Sequence, residues 1–104
     1  MIFDVTDRDF DDVVEQSTVP VLVEFWKPGC GSCRALLNEL EKLEIDVIGK
    51  VLILKINVEE NFQIPAELEV RSLPALALYR EGVFERFIGG LGTREEIFKQ
   101  LRLT

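Results

Sequence analysis

The sequence contains no histidine, only two cysteines and only four prolines. Without histidine the chain lacks the commonest general base at neutral pH, the commonest neutral metal ligand and every serine–histidine or cysteine–histidine nucleophile pair. It also lacks a long apolar run. Its hydrophobic stretches are of strand length, so no segment is expected to span a bilayer and no membrane partner is expected. Positive charge is sparse and scattered: 12 Lys and Arg stand against 19 Asp and Glu, for a net charge of -7. Phosphate neutralisation needs a concentrated basic surface, so a nucleic-acid partner is not expected. Residues 1–5 show no basic region leading into an apolar core and a small-residue cleavage site, which makes a cytoplasmic location the expectation.

What is present fits a globular chain. At 104 residues, with 47% hydrophobic and 30% charged residues, one domain covering residues 1–104 is expected, large enough to bury roughly two-thirds of its unfolded surface. No repeat, low-complexity tract or proline-rich linker divides it. Residues 2–5 read as a short strand. Thr6 offers an N-cap, with Asp7 and Asp9 in the first turn ahead of Phe10, Val13 and Val14, for a helix of about ten residues. Residues 19–26 are apolar and β-branched, with Pro20 at the edge, and read as a buried strand broken only by Glu24.

After Cys33, apolar residues at Leu36, Leu37, Leu40, Leu43 and Val47 mark one helical face, with Gly49 as the stop. Residues 51–58 form a second buried strand carrying Lys55, and residues 62–68 a short helix around Pro65. Residues 75–79 and 83–88 are strands joined as a hairpin, and Thr93 with Glu96 caps a last helix whose apolar face is Ile97, Phe98 and Leu101. The alternation predicts an α/β fold with a mixed sheet of four to five strands, flanked by helices on both faces. Gly89, Gly90 and Gly92 fit neither nucleotide-binding fingerprint and read as a structural turn.

The two cysteines sit three apart, as Cys30-Gly31-Ser32-Cys33. This separation is too short for a long-loop structural staple. A C-x-x-C pair by itself suits half of a metal site or a redox pair, but zinc needs two further ligands and the chain offers no third cysteine and no histidine. No metal is expected. The pair lies between a buried strand and an amphipathic helix, which places both thiols at the helix start, about one turn apart. The helix N-terminus favours a thiolate there. Cys30 is therefore the expected nucleophile, and Cys33, on the inward stripe, the resolving thiol. Glu24, a carboxylate within an apolar strand, should have its pKa raised, which suits a proton acceptor.

Residues Val23-Glu24-Phe25-Trp26 followed by Cys30-Gly31-Ser32-Cys33-Arg34, together with Arg71-Ser72-Leu73-Pro74, resemble the thioredoxin family over essentially the whole chain. The resemblance implies the thioredoxin fold, a cis peptide before Pro74 and pairing of the Leu73 backbone with an extended substrate. It implies docking roles for Trp26 and Gly29, a proton-relay role for Glu24 and Lys55 as its charge partner. It also implies a monomer that needs no cofactor beyond the Cys30–Cys33 disulfide. Disulfide-containing proteins would be its targets and a thioredoxin reductase its electron source.

Three positions depart from the family pattern: Ser32 replaces a proline, Gly29 an aromatic, and Asn38 a second proline in the helix. Gly31 and Ser32 are thus expected to tune the redox potential, with the Ser32 hydroxyl stabilising the reduced form and shifting it in the oxidising direction. Asn38 predicts a straighter helix. The leading reading is a protein-disulfide reductase. The alternatives are a disulfide oxidase or isomerase, and a binding module that docks targets without turnover.

Overall fold

The computed structural model describes residues 2–90 and 92–103, so Leu91, within the glycine-rich stretch, lies outside the described residues. The elements follow in the order β1 (Phe3–Val5), α1 (Phe10–Gln16), β2 (Val21–Trp26), α2 (Gly31–Asp46), β3 (Leu52–Asn57), α3 (Gln63–Glu67), β4 (Ala75–Arg80), β5 (Val83–Phe87) and α4 (Arg94–Leu101). The five strands form one sheet in the order β1-β3-β2-β4-β5. The β1/β3 and β2/β3 pairs are parallel, while β2/β4 and β4/β5 are antiparallel. The sheet is therefore mixed, and it turns antiparallel already where β4 joins β2.

Strand alternation sorts the core into two layers. Along β2, Val21, Val23 and Phe25 face one side with Phe10 and Val14 of α1 and Ile64 of α3. Leu22 faces the other, with Leu36, Leu40 and Leu43 of α2 and Ile97 and Leu101 of α4. Because both faces are covered, β2 reads as a continuous apolar run rather than an alternating one. Glu24 shares the parity of Leu22 and so lies on the side of α2 and α4.

Local chemistry explains most boundaries. Thr6 and Asp9 cap reciprocally: Thr6 N–H donates to Asp9 Oδ1 at 2.7 Å and Asp9 N–H to Thr6 Oγ1 at 3.4 Å. That capped turn leads into a regular helix of seven residues rather than about ten. Asp7 serves a different helix: its carboxylate accepts the N–H groups of Gln63 and Ile64, both at 2.9 Å, at the start of α3. The β4–β5 hairpin closes on Glu81 and Gly82, with φ of 53° and 78°, the left-handed pair a two-residue hairpin demands.

At α4, Thr93 accepts the Glu96 N–H at 3.3 Å, and Ile97 and Leu101 are fully buried, but Phe98 is 44% exposed. Its position, about 100° around the helix from Ile97, takes it off the buried stripe. Arg80 and Arg86 donate to the carbonyl oxygens of Leu101 and Gln100, satisfying acceptors that the helix end leaves open. Helix α2 runs unbroken for 16 residues through Asn38.

Candidate active site

The central strand β2 delivers its carboxyl end to the turn 27–30, where crevices form in open α/β sheets. Cys30 N–H reaches back to Lys27 O at 3.4 Å, and Gly29 turns the chain at φ +80°, a left-handed conformation that a side chain would strain. The turn sets Cys30 at the N-cap of α2, its Sγ accepting the Cys33 N–H at 3.2 Å. The two cysteines form a disulfide across a Cα–Cα distance of 5.3 Å. Cys30 is half-buried whereas Cys33 is buried against the core. An N–H aimed at Cys30 Sγ from the first helical turn favours negative charge on that atom when the disulfide opens. Ser32 is exposed, with its Oγ 3.6 Å from Cys30 Sγ.

Opposite the disulfide the Leu73–Pro74 peptide is cis. A cavity of about 440 Å³ runs between Cys30, Gly31 and Ser32 on one side and Val70, Arg71 and Leu73 on the other. A larger groove of about 950 Å³ begins at Ser32 and Pro74 and continues past Leu36 to Phe87 and Gly90. Cys30, Gly31, Ser32 and Leu73 thus line one opening, and Pro74 lines the groove that shares Ser32 with it. Trp26 and Gly29 line a third, smaller cavity of about 110 Å³ on the other side of the disulfide, shared by Glu24, Cys30, Cys33 and Lys55.

Glu24 is fully buried, and neither carboxylate oxygen has a hydrogen-bond partner. Desolvation pushes its pKa up to about 8; Lys55 pulls it down and Asp4 pushes it further up. Lys55 stands beside Glu24 in the β2/β3 register, but its ammonium pairs with Asp4 at 3.5 Å and lies over the Trp26 ring, 5.2 Å from the centroid. Trp26 Nε1–H donates to the same Asp4 carboxylate at 2.9 Å. Asp4 was not among the residues expected at the site. Only the parallel pairing of β1 with β3, which places Asp4 opposite Lys55, brings it there. Among the described residues no group of three or more His, Cys, Asp or Glu side chains is placed to hold a metal ion.

These elements can do one kind of chemistry without further groups. A half-buried sulfur stabilised by a helix start can attack a disulfide, and a buried sulfur one turn away can displace it. A buried carboxyl of raised pKa is available to the proton of the second.

A family model described as Thioredoxin matches residues 1–102. A thioredoxin of Haemophilus influenzae is 41% identical over 81 residues, covering 78% of this chain and 76% of its own length. One from Rickettsia bellii is 40% identical over 82 residues, 79% of this chain and 78% of its own. A thioredoxin 1 of a Nostoc species is 38% identical over 78 residues, with coverage of 75% and 73%. The Cys30–Cys33 disulfide at the start of α2 and these matches agree, and the chain belongs to the thioredoxin family as a thiol–disulfide oxidoreductase with disulfide reductase activity.

Proposed function

We propose that the chain reduces disulfides in target proteins with Cys30 as nucleophile and Cys33 as resolving thiol, and that a cytoplasmic thioredoxin reductase restores the dithiol. In the first step the Cys30 thiolate attacks one sulfur of the target disulfide, forming a mixed disulfide and releasing a target thiolate, which takes a proton from water. In the second, Cys33 gives its proton to the ionised form of Glu24 and attacks Cys30 Sγ, breaking the mixed disulfide and releasing the second target sulfur as a thiolate, which also takes its proton from water. The target gains two electrons and two protons, and Cys30 and Cys33 lose two electrons. Burial raises the Glu24 pKa to about 8, which makes its ionised form a far stronger base than an ordinary carboxylate and so suited to take a proton from a thiol.

The observation that carries the division of labour is the unequal burial of the two cysteines, with Cys33 N–H directed at Cys30 Sγ. Leu73 offers its backbone to an extended target beside Pro74, while Trp26 and Gly29 shape the neighbouring surface. Gly31 gives the turn a small residue with open space around it. The exchange runs on the cysteine pair alone and needs no bound cofactor. No helix among the described residues is long and apolar enough to cross a membrane, and the protein acts on disulfide-containing proteins as a monomer.

Trapping tests the assignment. A Cys33→Ser protein is expected to hold targets as mixed disulfides on Cys30, identified by mass after reduction. If Cys30→Ser captured the same partners equally well, the two roles would be wrongly assigned. One contact favours a second reading, an oxidase or isomerase: the Ser32 hydroxyl lies close enough to Cys30 Sγ to stabilise the reduced form.

A further inference from the structure

Three ionisable side chains stand in one row across the sheet. Asp4 of β1 is opposite Lys55 of β3, and Lys55 is opposite Glu24 of β2. One ammonium thus faces two carboxylates. It pairs with Asp4, which is half exposed, and leaves Glu24 without a partner. The choice follows from solvation. Pairing with Glu24 would draw the ammonium under α2 and strip its water, whereas Asp4 lets both charges stay hydrated. Trp26 reinforces that choice from both sides: its ring face attracts the ammonium, and its Nε1–H fixes the carboxylate.

We infer that Asp4 is a positioning residue for the exchange reaction, holding Lys55 away from Glu24 so that the Glu24 carboxyl remains unpaired beside the Cys30–Cys33 disulfide. The inference rests on the proton-acceptor reading of Glu24 and deepens it. The charged and titratable groups around Glu24 are few. Lys55 and Asp4 reach it from β3 and β1, and Lys27, Cys30, Cys33 and Arg34 line its cavity from the turn and α2. From β4 its register partner is the apolar Leu76. Asp4 raises the Glu24 pKa by direct repulsion and, through Lys55, by occupying the cation that stands beside Glu24 in the sheet.

The test is the titration of the Glu24 carboxyl carbon, followed by NMR in the oxidised protein. Asp4→Asn keeps an oxygen for Trp26 Nε1–H and removes the charge. It is expected to lower the Glu24 midpoint by about half to one pH unit. In a Lys55→Met background the same substitution should lower it by less, because only the direct repulsion is left to lose. An Asp4→Asn midpoint that stays put or rises overturns the inference, as does an equal fall in both backgrounds. The relay reading fails separately: if Glu24→Gln resolves a preformed mixed disulfide as fast as the wild type, Glu24 is no proton acceptor, whatever Asp4 does to its titration. If both hold, the acid limb of the wild-type resolution rate moves to lower pH in Asp4→Asn by the shift that the titration shows.

Discussion

Replacing Glu24 by leucine should make the oxidised protein more stable, and increasingly so as pH rises. Glu24 is fully buried with neither oxygen hydrogen-bonded, and its pKa rises from the ordinary 4.5 to about 8. Between those values the folded chain holds a proton that the unfolded chain has lost, so unfolding releases one proton. Stability therefore falls by about 1.4 kcal/mol per pH unit. The favourable contribution of the protonated carboxyl is complete below pH 4.5 and is lost progressively up to pH 8. By pH 7 the loss amounts to about 3 kcal/mol, a large share of the ~5–15 kcal/mol that hold a domain together. The assay is urea denaturation of both oxidised proteins at a series of pH values. All other titrating groups are common to the two, so the difference between the curves isolates Glu24. The Glu24→Leu protein should gain on the wild type by about 3 kcal/mol between pH 4.5 and pH 7, on top of a pH-independent difference from the buried neutral carboxyl. Parallel curves over this range would refute the raised pKa of Glu24.

Three further outcomes are expected. Ser32→Pro removes the hydroxyl 3.6 Å from Cys30 Sγ. It should make the protein about fivefold more reducing in equilibrium with glutathione, for a hydrogen bond worth ~1 kcal/mol; a variant no more reducing than the wild type counts against the tuning role. Glu24→Gln should slow resolution of a mixed disulfide by on the order of tenfold or more while leaving the initial attack by Cys30 intact, as stopped-flow measurements on the two steps would separate. Asp7→Ala strands the N–H groups of Gln63 and Ile64 and should cost ~1–2 kcal/mol in urea unfolding, against less for Asp7→Asn; an unchanged alanine variant would remove Asp7 from its capping role.

Much of the fold could be read from local pattern because the strands and helices differ in how they bury themselves. Leu36, Leu40 and Leu43 mark α2 by their spacing, and all are buried. The β2 run marks a strand covered on both faces. What local pattern misses depends on distant partners. Asp7 looks like a first-turn acid of its own helix, yet it caps one that starts 56 residues later. Phe98 looks like part of an apolar face, yet α4 buries only the stripe through Ile97 and Leu101. The antiparallel pairing of β2 with β4 depends on how residues 58–74 return to the sheet, which their composition does not encode.

The site divides along the same line. Cys30 and Cys33 were legible because their chemistry is local: spacing and helix start place one sulfur outward and one inward. Glu24 was legible as an anomaly, a charge within an apolar strand. Its actual state depends on which carboxylate Lys55 pairs with, and that is settled by β1. Strand β1 is only three residues long and is separated from β2 in the sheet by β3. Its first two residues, Phe3 and Asp4, are both exposed, so nothing in its burial pattern singles out Asp4. A parallel sheet nonetheless carries this edge residue into the electrostatics of the central strand, because each row of side chains runs across strands that are distant in sequence. The basicity of Glu24 is thereby set in part by a residue 20 positions before it, held in place by Lys55 and Trp26.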